Sequence, residues 1–416
     1  MSVYAFNNVF LLAYGFLLLY MYRNPGVFDR ESSLLTLVGF YTAITSICIN
    51  AISYHHTGNY FSFSEIDARL YDELARRLQF DSDGLRYVTS TYNFDDWGAI
   101  VMTAVVYYFY ESNVALDVFY WMLGVLTARY LYRLSKNFMS SSMAAMCTFA
   151  FVGSSFSVWF ATTGLKETFM VFILVYSYYA YYRFIAGNGI RWLIQSIAVL
   201  MILVFFRPVI VIMIVGAFAV EQIARSVRSR NRWVVLILFL VVILSLSSLF
   251  EMSKSRFLGQ KGVVEYLQGQ SDSEMVKGGL GFTYVVNLLS ALIGNFPTIV
   301  TDIKISHYFA SAGLLFKVFL FLPIAFATRF VFVQKRFSML ALIVFPVMEI
   351  VSLIFILEAL ELRKSFPHYP MLYILAFWFM DHEYSHKNVT MPVKRIWLTH
   401  VSFFLFMVTI VFWNFR

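Results

Sequence analysis

The sequence predicts an all-α, polytopic transmembrane helix bundle of about twelve crossings, with juxtamembrane helices in the first large external loop. Three observations predict it. Hydrophobic residues fill 60% of the 416 positions and charged residues only 13%, and mean hydropathy is +0.70, far from a soluble globular composition. Apolar runs long enough to cross roughly 30 Å of hydrocarbon recur along the whole chain. Lys and Arg gather in the short connections between those runs.

Taken in order, crossings are predicted near 4–22, 33–52, 115–133, 139–157, 168–186, 190–206, 208–224, 233–250, 309–331, 338–358, 367–382 and 396–414. The first run has no basic residue before it and no small-residue cleavage site after it, so it reads as a retained crossing. Two further apolar stretches, 97–110 and 282–300, are short or interrupted, the second by Gly294-Asn295-Phe296-Pro297. If neither crosses, Arg23 and Arg30, the Arg129/Arg133/Lys136 cluster, Arg183 with Arg191, Arg225 to Arg232, Lys335 with Arg336, and Lys387/Lys394/Arg395 share one side. The positive-inside rule makes that side the cytoplasm. The two stretches then lie at the surface or re-enter, where protein or water shields their backbone.

The polar segments are too short for a separate soluble domain, so residues 1–416 read as a single membrane domain with external loops at about 54–96 and 251–281. The net charge of +8 follows the loop distribution and not a nucleic-acid footprint. Cys48 and Cys147 both lie in apolar runs, which leaves no disulfide framework or cysteine metal site. Asn388-Val389-Thr390 has the glycosylation pattern but falls on the cytoplasmic side. No P-loop, dinucleotide fingerprint, nucleophile elbow or HExxH is present.

The most polar helical stretch is 64–78. At helical spacing Asp67, Leu70, Tyr71, Leu74 and Leu78 share one face, while Arg69, Asp72, Glu73, Arg76 and Arg77 share the other. This is the pattern of a helix lying on a membrane surface. Asp67 heads the apolar face, where a carboxylate is costly unless it is used or satisfied. Two readings stand side by side: a local capping box from Ser64 to Asp67, or a functional acid.

Other ionisable residues also break the apolar pattern. Lys166, in Thr162-Thr163-Gly164-Leu165-Lys166-Glu167, and Arg207, in Phe205-Phe206-Arg207-Pro208, sit at predicted external helix ends, as does Arg363. Such cations can snorkel to the interface or grip a phosphate at headgroup level. Glu65 with His55 and His56 is a set that could hold a divalent cation, against the alternative of solvated loop charge. Lys317 and Glu349 lie within predicted crossings, either as a mutually neutralising pair or as ion-coupling groups of a transporter.

Asp67-Ala68-Arg69-Leu70-Tyr71-Asp72-Glu73-Leu74-Ala75-Arg76 resembles the Asp-x-x-x-Tyr-x-x-x-Ala-Arg stretch in the first external loop of GT-C membrane glycosyltransferases, in the style of protein mannosyltransferases and lipid A aminoarabinose transferases. The apolar stretch at 97–110, Arg129-Tyr130-Leu131-Tyr132-Arg133-Leu134, and the Gly164-Leu165-Lys166-Glu167 turn follow in the order of that family's first half. Arg363-Lys364-Ser365-Phe366-Pro367-His368-Tyr369-Pro370 is similar to its Arg-Tyr-x-x-Pro-x-x-Pro lead-in to a late helix. The resemblance covers about 54–225 and 360–382 within a GT-C-like core of about 54–382. The chain departs from the family in an additional N-terminal crossing and in lacking a large C-terminal soluble domain.

The resemblance implies a polyprenyl-phosphate-linked sugar donor, a lipid, glycan or protein acceptor, and a site facing the periplasm of a bacterial inner membrane. It makes Asp67 the catalytic base and assigns Tyr71, Lys166, Arg207, Arg363 and His368 to substrate and phosphate binding, with inversion at the anomeric carbon. The 251–281 segment becomes a lid. A repeat-unit polymerase of O-antigen type and a transporter or lipid-glycan flippase are the alternatives.

Overall fold

The computed structural model describes residues 3–57, 66–91, 94–225, 320–355 and 362–385, with side chains over 9–24, 26–55, 68–90, 97–225, 320–353 and 364–382. The crossings expected at 233–250 and 396–414, the stretch at 282–300, the 251–281 segment and Lys317 lie outside the described residues.

Among the described residues the secondary structure is helical, without strands. The helices are α1 (Val3–Arg23), α2 (Glu31–Thr57), α3 (Ile66–Phe80), α4 (Gly84–Thr91), α5 (Phe94–Phe109), α6 (Asn113–Ser135), α7 (Ser141–Val152), α8 (Ser155–Thr162), α9 (Lys166–Ile185), α10 (Arg191–Val204) and α11 (Pro208–Arg225). They continue with α12 (Leu320–Val333), α13 (Leu340–Phe355) and α14 (Tyr369–Ser385). Two compact units result: α1 to α10 with the end of α14 form one, and α11, most of α12, α13 and the start of α14 form the other.

Within α2, α6 and α11, the segments Glu31–His55, Asn113–Ser135 and Pro208–Arg225 are each long and apolar enough to cross a membrane. The run expected to cross at 139–157 is instead a bent pair, α7 and α8, meeting at 54°, and together they make a fourth candidate span. The bend has a local cause. Gly153 and Ser154 interrupt the helix, and the Ser154 and Ser157 hydroxyls both donate to the Phe151 carbonyl, at 2.6 and 2.7 Å. The run at 97–110 is the short helix α5, and α10 has only 14 residues.

In the first unit, α6 and α9 run parallel. Tyr130 of α6 meets Phe172, Tyr176 and Tyr179 of α9, with the Tyr176 ring at 4.8 Å, and Phe138 beyond the end of α6 meets Tyr182 at 5.0 Å. The Trp121 indole of α6 donates to the Gly39 carbonyl of α2 at 3.1 Å, and the Tyr14 hydroxyl of α1 donates to the Ala150 carbonyl of α7 at 2.5 Å. Asp381 accepts from the Ser140 backbone N–H and hydroxyl, both at 2.8 Å, placing a carboxylate at the positive start of α7.

Polar groups collect at the two ends of α6. Asn113 lies in a hydrogen-bonded network at one end, and Arg129 and Arg133 bind Glu31 at the other. The 20 residue steps from Asn113 to Arg133 advance about 30 Å along the helix, the thickness of a hydrocarbon core.

In the second unit, buried Glu221 of α11 accepts the Ala341 N–H at 2.9 Å, which caps the start of α13, and pairs with Arg225 at 2.9 Å.

Candidate functional site

α3 positions the first group of candidates. Ala68, Tyr71, Leu74 and Ala75 form its buried stripe, with Leu70 and Leu78 half-buried at the edges. The polar face is less open than the pattern suggests: Asp72 and Arg76, expected on the outer side, are half-buried and turned toward α5 and the start of α6. α3 packs on α5 and the start of α6, and its polar residues make that contact.

The contact is a network. Arg76 donates to Asp72 at 3.2 Å, to Glu111 at 2.5 Å and to the Asn113 side-chain oxygen at 3.3 Å. Its guanidinium also lies 4.8 Å from the centre of the Tyr107 ring. The Tyr107 hydroxyl donates to Asp72 and lies 3.2 Å from the Asn113 oxygen. Burial first, then the hydrogen bond and charge of Asp72, hold the Tyr107 phenol well above its ordinary pKa. Burial works against the Arg76 charge, but Asp72, Tyr107 and Glu111 outweigh it and raise that pKa too.

α5 reaches this position by a close approach. Gly98 donates its N–H to the Phe205 carbonyl at 3.0 Å, and a Cβ there would sit 2.6 Å from the Phe206 ring. Only glycine lets α5 lie against the end of α10 at that distance.

Lys166 opens α9 after a turn that Gly164 makes with φ +69°. The N-cap residue is Leu165, which gives the helix start no side-chain cap. Lys166 is half-buried, and its ammonium lies 5.7 Å from the centre of the Tyr71 ring. Glu167, next in the chain, is buried. Two of the expected substrate-binding residues, Tyr71 and Lys166, therefore meet.

The backbone of Asp67 lies in the first turn of α3, one turn before Tyr71, while its side chain lies outside the described residues, as do Ser64 and Glu65. His55 is exposed near the end of α2, and the His56 side chain is outside the described set. Among the described residues no three His, Cys, Asp or Glu cluster as a metal site.

The second unit carries Arg207, Arg363 and His368. Arg207 is half-buried just before Pro208, the first residue of α11. Arg363 falls in the short helix Leu362–Ser365, its side chain outside the described residues. His368 is fully buried, its Nδ1 3.2 Å from a carboxylate oxygen of buried Glu349. Next to it the Ser365 and Tyr369 hydroxyls are 2.8 Å apart.

Sequence reasoning overlooks Asp72, Tyr107, Glu111 and Asn113 as one group. The i, i+4 spacing of Asp72 and Arg76 is a readable signal, but Tyr107 is brought to them only by tertiary packing. It also overlooks the Asn50 amide donating to Asp117 at 2.8 Å between α2 and α6.

Comparison with known protein families, with curated proteins and with solved structures finds no match for this chain.

Proposed function

We propose that the chain is a membrane glycosyltransferase of GT-C type that moves a sugar from a polyprenyl-phosphate carrier to an acceptor hydroxyl at the external face. In this reading the chain crosses the membrane about twelve times, and the α3 and Lys166 end of α6 and α9 faces outward. The supporting observation is the Lys166 ammonium 5.7 Å from the Tyr71 ring centre, one helical turn along α3 from Asp67. This supports the reading because a cation beside the buried Tyr71 ring lies near the helical turn that carries Asp67.

The chemistry assigns each a task. The acceptor oxygen attacks the anomeric carbon as Asp67 takes its proton, and the carbon–oxygen bond to the phosphate breaks with inversion. The departing polyprenyl phosphate gains charge, which Lys166 stabilises. Tyr71, buried on α3, holds Lys166 in place through its ring.

Purified chain in nanodiscs, given a polyprenyl-phosphate sugar, tests the reading. Asp67→Asn should retain expression and donor binding while turnover falls by roughly a hundredfold or more, and Lys166→Ala should retain expression while donor binding and turnover both fall. Near-normal turnover in both removes the site. Transfer of multi-sugar blocks alone identifies a polymerase. The buried Glu349–His368 pair gives the transport reading its own observation, and Glu349→Gln abolishing lipid-glycan or ion movement while Asp67→Asn leaves it intact would establish that reading instead.

A further inference from the structure

At the far end of α6 and α9 from Lys166 lies a cavity of about 320 Å³ whose lining includes Arg133, Lys136 and Arg183 together with Tyr132 and Tyr179. It has room for roughly ten waters, or for a phosphate group with a small ester substituent.

The charges around it are unevenly matched. Of its two acids, Glu31 is occupied: Arg129 and Arg133 both donate to it, at 2.9 to 3.0 Å. Asp29, the other, offers its backbone carbonyl to the Tyr132 hydroxyl at 2.6 Å. Lys136 and Arg183 line the same space without a carboxylate partner among the described residues. Lys136 lies over the Tyr132 ring at 5.4 Å, and Arg183 lies over Trp192 at 5.5 Å with its Nε unsatisfied. Arg133 and Arg183 stand in the last turns of their helices, where a cation complements the helix dipole. That accounts for a cation at each helix end but not for their convergence, with Lys136, on one cavity.

We infer that this cavity binds a phosphate-bearing anion, held by Lys136 and Arg183 with the cavity's phenols around it. Two sources share this chemistry: the headgroup of an anionic membrane lipid, for which basic pockets between membrane helices are suited, and a soluble phosphate ester. The inference is independent of the glycosyltransferase reading, because it concerns the opposite end of α6.

The full chain is reconstituted with phosphatidylglycerol or phosphatidylcholine, and lipid retention is read by native mass spectrometry. Inorganic phosphate and glycerol phosphate are titrated against thermal unfolding in parallel. Lys136→Gln is the first variant, because Lys136 is exposed and glutamine keeps most of its length and polarity. The Lys136→Gln/Arg183→Gln pair is the second, and Arg23→Gln, an exposed cation at the end of α1, is the control.

Selective retention of phosphatidylglycerol identifies the lipid source, and a saturable shift with the soluble phosphates identifies the other. In either case Lys136→Gln should weaken binding roughly tenfold and the pair roughly a hundredfold, with Arg23→Gln unchanged, from the loss of one and two charge-assisted bonds. The proposal is overturned if neither ligand binds, if binding survives in the paired variant, or if the control loses as much as Lys136→Gln does.

Discussion

The Tyr107 hydroxyl donates its hydrogen bond to Asp72, joining α5 to α3 across 35 residues of chain. The phenol is buried, and ionising it would place a negative charge beside a carboxylate. Its pKa is therefore raised in the fold, while the unfolded chain ionises near the ordinary value of about 10. The stability this provides is present below that value and is lost as pH rises through the folded-state pKa. Tyr107→Phe should lower stability by about 1 kcal/mol near neutral pH and flatten the loss above pH ~10. Thermal unfolding of both proteins across an alkaline pH series measures the difference.

Gly98→Ala should separate α5 from the end of α10. The new methyl would stand 2.6 Å from the Phe206 ring and 2.8 Å from the Phe205 carbonyl, so one helix must move and the Gly98 to Phe205 hydrogen bond must lengthen. Overpacking of this kind costs about 1 to 3 kcal/mol, readable as a lower unfolding midpoint in detergent.

Glu221→Ala should destabilise the second unit more than Glu221→Gln does. The alanine leaves both the Ala341 N–H and Arg225 without this partner, at a cost of about 2 kcal/mol or more. Glutamine keeps an acceptor for the helix start and loses only the ion pair. Limited proteolysis near α13 separates the two variants.

Tyr110 and Asn137 flank α6 and are exposed. With Cys48 and Cys147 replaced, Tyr110→Cys and Asn137→Cys should react with an impermeant maleimide from opposite sides of a sealed vesicle. Labelling of both from the same side would exclude α6 as a crossing.

The long apolar helices were legible because length and composition are local: α6 follows from the run at 115–133, and α11 from that at 208–224. The bend between α7 and α8 is also written locally, in Gly153-Ser154, but the continuous hydrophobicity around it hides the break. α3 was legible as a helix and only partly as a face. Its periodicity identifies the stripe at Tyr71 and Leu74, yet cannot show that Asp72 and Arg76 find partners on α5 and α6 and so leave the solvent side. The meeting of Tyr71 with Lys166 spans nearly a hundred residues, and no periodicity carries that distance. Chemistry could nominate both residues; only the packing of α3 near the start of α9 pairs them.

The elbow at Gly153 also sets where α9 begins. α8 is eight residues long and leaves α7 at 54°, so its advance of about 12 Å resolves into roughly 7 Å onward and 10 Å sideways. Lys166 is thus delivered well to one side of the line of α7, and a straight helix of the same length would have carried it roughly 5 Å further along that line.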